Sequence, residues 1–392
     1  MANRHAILFA NLKGNLGDFA ILQSMLADIQ ARDPGASIDV YSQPFVAVDE
    51  ARTKAFFGAA PACKYQGTTV KALATTGPRR IRLLRALGLL RAYEERRIVR
   101  HAAELKAAMA AQLSGYHTVF IAGGAQWTGV DAGVSMFADL RAVTDLGVKV
   151  QTYPFSVSSS LFKLNTKARL AQDFKRIAPP RIARDSQTHR MLEEIGVPMV
   201  LGADCVFALG PPPGSMAKQG GQSGRLLFIT TKQSRAQLEP ALQAALREGF
   251  KPVLLTTCAD EDAAVQAPLA KALGISFLAP LTWQEAVAEI EASELVVTNR
   301  LHGLILSSFA PKPVIPLTDR PKVKAVTRDA ALPVSIDSLD RLTAETLTRA
   351  RADAKDMVTA LGRYRAAALQ TTWSPFGLGA QAAADAASGT GE

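Results

Sequence analysis

Short apolar runs alternate with amphipathic stretches along almost the whole chain. Apolar runs bounded by glycine or polar turns predict strands. Apolar positions recurring every three or four residues predict helices between them. On this reading Ala6–Asn11 is a strand, 13–17 a loop and Asp18–Ala31 a helix. Further strands are predicted at Ser37–Tyr41, Thr118–Ala122, Val148–Tyr153, Pro180–Ala183 and Val197–Leu201, with a helix over Ser186–Ile195. The stretch LGPPPGSMAKQGGQSGR, Leu209–Arg225, then breaks the pattern and reads as a linker. A second series follows, with strands at Leu226–Thr230, Pro252–Thr256, Ile275–Leu278, Leu295–Thr298 and Val314–Pro316. Helices over Ala236–Glu248 and Trp283–Ala292 fill two of the gaps. Thr343–Leu369, rich in Ala and Arg, predicts one long helix, and Gly379–Glu392 a disordered tail.

Such alternation belongs to α/β folds with parallel sheets. The expected organisation is a Rossmann-like domain over 1–208, a linker over 209–225 and a second Rossmann-like domain over 226–340. A helical segment over 341–378 and a tail over 379–392 follow. In open α/β sheets ligands bind beyond the carboxyl ends of strands, so the loops that follow strands are where chemistry is sought.

Composition narrows the picture. A chain of 392 residues exceeds one ordinary core. With 48% hydrophobic residues it is not a disordered chain. No run of apolar residues is long enough to span a bilayer. The apolar run Ala6–Ala10 is too short for a signal peptide and suits a first strand. Cys63, Cys205 and Cys258 are scattered, without a CxxC, as expected of a reducing cytoplasm with neither disulfide framework nor zinc site. The five histidines likewise show no ligand spacing, and neither a metal nor a cofactor is expected.

The net charge of +10 suits anionic partners. Much of it lies between Pro78 and His101, where eight arginines face only Glu94 and Glu95. Ile81, Leu84, Leu87, Leu90 and Tyr93 recur at near-helical spacing there, so Arg79–Arg100 predicts a basic amphipathic helix. Two readings fit it: a solvated face over a core-facing stripe, or a peripheral contact with an anionic membrane surface or acceptor at the cytoplasmic face of the inner membrane. No nucleic-acid-binding motif supports a third.

Four post-strand loops stand out. Lys13-Gly14-Asn15-Leu16-Gly17-Asp18 has two glycines that permit close backbone approach, ahead of a helix whose N–H groups suit an anion. It is not GxGxxG, which argues against a nicotinamide cofactor, and Asp18 alternatively caps the helix. Gly123-Gly124 follows a middle strand. Arg184, followed by Asp185 and Ser186, stands at the end of another, and Asp204 either orients it or is ordinary loop chemistry. The fourth is TNRLHGLILSSF, Thr298–Phe309. Here Arg300 and His302 fall at the start of a helix, where cationic charge opposes the dipole, so a bound anion is expected to offset them. Arginine matches a carboxylate or phosphate with a planar fork, and histidine moves protons near neutral pH. Lys322 adds charge further along.

In this order Gly14-Asn15-Leu16-Gly17-Asp18, Gly123-Gly124, Arg184-Asp185-Ser186, Thr298-Asn299-Arg300-Leu301-His302-Gly303-Leu304, Pro313-Val314-Ile315 and Lys322 resemble the polysaccharide pyruvyl transferase family. Ala125 and Asp185 depart from that family's pattern, and the Arg79–Arg100 region matches nothing in it. The resemblance implies a GT-B-like fold, two Rossmann-like domains with parallel sheets facing across a cleft. It also implies phosphoenolpyruvate as donor and a glycan, free or lipid-linked, as acceptor. Donor contacts would fall on Arg184, Arg300 and Leu301, and acid/base work on His302. The rival on the same fold is a nucleotide-sugar glycosyltransferase, but its expected acidic residues, Glu285, Glu289, Glu291 and Glu294, precede the Arg-Leu-His strand. A non-catalytic two-domain anion-binding protein is the other alternative. Oligomeric state has no signal in the sequence.

Overall fold

The apolar runs become three parallel sheets in the computed structural model, which describes residues 2–43, 47–60, 63–68, 76–127, 131–212 and 224–376. The strands of the first half are β1 (Arg4–Ala10), β2 (Ser37–Ser42), β3 (Cys63–Thr68), β4 (Thr118–Ile121), β5 (Gly124–Trp127), β6 (Lys149–Thr152), β7 (Phe155–Val157), β8 (Ile182–Ala183) and β9 (Val200–Leu201). Those of the second half are β10 (Arg225–Ile229), β11 (Lys251–Leu255), β12 (Ser276–Leu278), β13 (Leu295–Thr298) and β14 (Val314–Pro316). The first sheet runs β3-β2-β1-β4-β6 and the second β12-β11-β10-β13-β14, while β5-β7-β8-β9 form a smaller third sheet. Within each five-stranded sheet the order reverses direction beside the first strand. Those two points, β1/β4 and β10/β13, are where a doubly wound sheet opens a crevice for ligand.

Strand alternation sends successive side chains to opposite faces, and the core divides accordingly. Ile7, Phe120, Leu227, Ile229, Val253 and Val296 enter one central cluster that spans both halves. Their neighbours Ala6, Leu8, Val119 and Ile121 pack on the outer face of the first sheet. Leu226, Phe228, Leu254 and Val297 do the same on the second. The shared cluster is reinforced by polar ties. Leu16 N–H donates to Thr257 O at 2.9 Å, and buried Arg52 reaches both Gly14 O and Pro280 O. Trp283 Nε1 donates to Gln23 at 2.7 Å.

Three strands escape the sequence pattern, β3, β5 and β7. The first, CKYQGT, is mostly polar and lies at a sheet edge, where one face and one side are open. The other two have four and three residues, too few to show a period. The long helix expected over Thr343–Leu369 is two, Ala344–Ala352 and Ala354–Gln370, divided at Asp353. The division lets Leu347, Ala350 and Met357 join the second sheet's outer core while Ala360, Leu361 and Ala368 enter the central cluster. The chain then returns to the first half, where Thr372 bridges to Gly202 and Ser374 donates to Asp28.

The basic helix is also two pieces, Pro78–Ala86 and Leu90–Leu113, separated by Gly88 at a left-handed φ of 68°. The stripe from Ile81 to Tyr93 is therefore interrupted, and Leu87 is exposed rather than facing a core. Most of the expected linker, 213–223, and the whole expected tail lie outside the described residues. Among the described residues no helix is long and apolar enough to cross a membrane.

Candidate active site

The residues after β13 are fixed before they reach any ligand. Thr298 Oγ1 donates to Ile229 O on β10 at 2.8 Å and accepts the Arg300 N–H at 3.1 Å. Asn299 accepts the Thr231 N–H at 2.8 Å and donates to Asp319 at 3.1 Å. Arg300 is then the extended N-cap of a seven-residue helix, Leu301–Ser307, with His302 in its first turn. Gly303 is required for this closure, because a Cβ there would lie 2.4 Å from Thr298 Oγ1.

Arg300 is buried and its Nη2 meets two carboxylates, Glu261 Oε2 at 3.1 Å and Asp262 Oδ2. Both come from the first turn of the helix Ala259–Leu273 after β11. Burial opposes ionisation of Glu261, but Arg300 and Lys232 outweigh it and lower its pKa. Arg300 Nε is buried with no hydrogen-bond partner, a state that calls for an explanation in a native interior.

His302 Nε2 stands 3.4 Å from Asp204 Oδ2, within ion-pair reach but not aligned as a hydrogen bond. Its other edge rests on Gly17, where a Cβ would lie 1.9 Å from Nδ1. The cationic charge at this helix start is thus offset by the protein's own carboxylates, Glu261, Asp262 and Asp204. These carboxylates, which no local spacing reveals, stand beside the cations for which the sequence expects a bound anion.

Arg184 follows β8 and spans two neighbours. Its Nε donates to Ser156 Oγ at 3.1 Å and its Nη1 to Asp204 Oδ2 at 2.9 Å. Asp204 is the expected orienting residue, and it serves Arg184 and His302 together. Burial alone would raise its pKa, yet Arg184, His302 and the Val206 N–H hold it below the ordinary carboxylate range. Asp185 caps the helix Ser186–Glu193, accepting from Thr188 N–H at 2.7 Å.

The loop after β1 contributes differently from expectation. Asn15, not Asp18, is the N-cap of the helix Leu16–Arg32, accepting the Gly17 N–H at 3.2 Å. Leu16, Asp18 and Phe19 N–H groups are also taken within the protein, so this helix start is not an open anion cradle. Gly17 instead makes room for His302. Asp18 receives the amides of Asn11 at 2.7 Å and Asn15 at 3.0 Å. Burial raises the pKa of its carboxyl against the pull of His302, Arg184 and Lys322.

These groups meet in one cavity of about 270 Å³, lined by Asn11, Asn15, Asp18, Arg184, Thr231, Arg300, Leu301, His302 and Lys322. Lys322 starts the helix Pro321–Asp329 and opens onto the cavity. By surface area its residue counts as exposed, because the cavity itself admits solvent. The surrounding walls, with Arg184 beside the amine, nevertheless bring its pKa down to about 7. A wider groove of about 540 Å³ continues from Leu301 and Lys322 past Ser158, Ser159, Gln187 and Arg320.

Seven sequence candidates therefore converge: Asn15, Asp18, Arg184, Arg300, Leu301, His302 and Lys322. Gly123 and Gly124 do not join them. A Cβ at Gly123 would lie 3.0 Å from Pro154 O and 3.2 Å from Tyr153 Cβ, so this glycine permits packing of β4's end against the next strand. Gly124, at φ 102°, donates to Pro154 O and starts β5. Asn11, Thr231, Glu261 and Asp262 were not anticipated. Thr231 follows a strand, β10, and the same post-strand rule applied there finds it.

Residues 15–320 match the family model described as polysaccharide pyruvyl transferase. The chain belongs to the polysaccharide pyruvyl transferase family. This family membership makes it a transferase of polysaccharide biosynthesis. Comparison with curated protein sequences returns no match. Among solved structures it resembles a putative UDP-N-acetylglucosamine 2-epimerase from Listeria monocytogenes, with 13% identity and a TM-score of 0.58 over 100% of this chain and 97% of that one. UDP-GlcNAc 2-epimerase from Neisseria meningitidis, bound to UDP-GlcNAc, has 10% identity and a TM-score of 0.56 over 99% of each chain. UGT2 of Phytolacca americana, complexed with UDP-2-fluoro-glucose and pterostilbene, has 12% identity and a TM-score of 0.55 over 99% of each. At these identities the likeness is one of fold, and the pyruvyl transferase chain has the GT-B fold.

Proposed function

We propose that this transferase moves the enolpyruvyl group of phosphoenolpyruvate onto two hydroxyls of a sugar, forming a pyruvate ketal and releasing phosphate. The observation that carries this reading is the convergence of Arg184, Arg300, His302 and Lys322 on one small polar cavity. A three-carbon donor bearing carboxylate and phosphate suits a cavity of about 270 Å³ lined by two arginines, a lysine and a histidine. The acceptor sugar would occupy the adjoining wider groove.

The chemistry balances with one proton carrier. Protonation of the donor's methylene carbon makes it a methyl group and leaves a cation at C2. The first sugar hydroxyl bonds to C2 and loses its proton. The C2–O bond to phosphate then breaks, and the second hydroxyl closes the ring, losing its own proton. Of the two protons released, one replaces that given to the methyl and the other leaves with phosphate. Asp204 addresses His302 Nε2, which leaves Nδ1, beside Gly17, to exchange protons with the ligand. The Asp18 carboxyl faces the same space.

The nucleotide-sugar reading looks to Glu289 and Glu294, which are engaged elsewhere; Glu261, at the wider groove, is held by Arg300. Glu289 pairs with Arg225 and Glu294 with Arg351, and neither lines the cavity. The test is phosphate release from phosphoenolpyruvate, measured with and without a glycan acceptor. Release that depends on the acceptor is expected. Transfer of a sugar from a UDP-sugar, with phosphoenolpyruvate untouched, would contradict the proposal.

A further inference from the structure

The helix Pro78–Ala86 has no part in the site and no buried residue along its nine positions. Ile81 and Leu84 turn toward the next helix and are half-buried, while Arg79, Arg82, Leu83 and Arg85 face outward. Leu83 and Leu87 are each 59% exposed and Leu89 is 52% exposed. Large leucines left in water, set among arginines, are the feature to be explained.

The charge there is not neutralised from within. None of Arg79, Arg82 and Arg85 has a carboxylate partner among the described residues. Arg80 lies over the Tyr93 ring at 4.8 Å, which fixes the helix against Leu90–Leu113. The two nearby acids are used elsewhere. Glu95 binds Arg141 and Arg169, and Glu94 is buried. Arg96, Val99 and Arg100 extend the exposed surface along the following helix.

From this we infer that the segment Pro78–Leu89 is a docking element for an anionic lipid bilayer. Arginines meet lipid phosphates at the interface, while Leu83, Leu87 and Leu89 enter the acyl boundary. A second copy of the chain is a poor occupant, because four arginines would face four arginines across a two-fold axis. Nucleic acid would satisfy the arginines and leave the leucines in water. A bilayer surface offers phosphates to the arginines and acyl chains to the leucines at once. This inference does not rest on the identity of the donor.

The test is co-sedimentation of the full chain with phosphatidylcholine vesicles, with and without phosphatidylglycerol. Binding is expected only with the anionic lipid, and it should vanish at about 1 M salt, where the Debye length is about 3 Å. R79Q/R82Q/R85Q should lower partitioning by about fivefold per arginine, on the order of a hundredfold together. L83S/L87S/L89S keeps every charge and should still weaken binding by tenfold or more. None of these side chains is buried, so circular dichroism should show both variants folded. Wild type that ignores anionic vesicles overturns the inference. So does a serine variant that binds like wild type, which would reduce the contact to nonspecific charge. Capture by a single-stranded oligonucleotide without vesicle binding would assign the surface to nucleic acid instead.

Discussion

Asp204 is the residue on which the cavity's electrostatics turn. Its Oδ2 stands 2.9 Å from Arg184 and 3.4 Å from His302, so one buried carboxylate faces both side chains, on the proposed function a donor contact and the proton carrier. His302→Gln removes the carrier while leaving the arginines, and should lower turnover by roughly 10²–10⁴ with donor affinity nearly unchanged. Steady-state kinetics beside calorimetry separate the two. Lys322 gives the pH dependence. The cavity walls and Arg184 bring its folded pKa to about 7, below the unfolded value, so the folded protein binds fewer protons than the unfolded chain above that pH. Its destabilising cost is therefore full below about 7 and relieved as pH rises toward the unfolded pKa. An anionic donor favours the ammonium, so binding near pH 8 should take up a proton and weaken as pH rises. Calorimetry in buffers of different ionisation enthalpy measures that uptake, which Lys322→Met should abolish.

At the scale of elements, the site is built from strand ends and the glycines beside them. The helix Leu16–Arg32 approaches the helix Leu301–Ser307 closely enough that only glycine fits at position 17. Gly17→Ala should displace the His302 ring and reduce turnover nearly as far as loss of the ring itself. Overpacking there should cost on the order of 1–3 kcal/mol of stability, read by thermal unfolding, with helix content unchanged by circular dichroism. This level was also the most legible in the sequence. β13 and β14 fall where the apolar runs place them, and most other strands lie within a few residues, because a buried parallel strand writes itself as an uninterrupted apolar run. Arg184, Arg300 and His302 were legible because they follow such runs. Short or edge strands such as β3 and β7 have too little pattern to read. The partners of Arg300 come from a helix about forty residues earlier, and the seat of His302 from the other end of the chain. Neither leaves a local trace, so Gly17 reads as a ligand loop when its role is to make room.

Over the whole molecule, the cavity exists because the two five-stranded sheets bring their reversal points together. Arg52, the Leu16–Thr257 hydrogen bond and the shared central core hold the halves in that relation. The helix Ala354–Gln370 and the residues after it tie the end of the chain back to the first half. Two of the compared structures hold a UDP-sugar on the same GT-B frame; on the proposed function, the side chains at this chain's strand ends select another donor. The central claim is that they choose phosphoenolpyruvate, and the most direct measurement is calorimetric titration of the full chain with phosphoenolpyruvate and, separately, with UDP-N-acetylglucosamine. Saturable binding of phosphoenolpyruvate is expected, weakening by at least tenfold in Arg184→Ala and in Arg300→Lys, with no binding of the nucleotide sugar. Binding of UDP-N-acetylglucosamine with phosphoenolpyruvate ignored, or phosphoenolpyruvate affinity indifferent to both arginines, would contradict it.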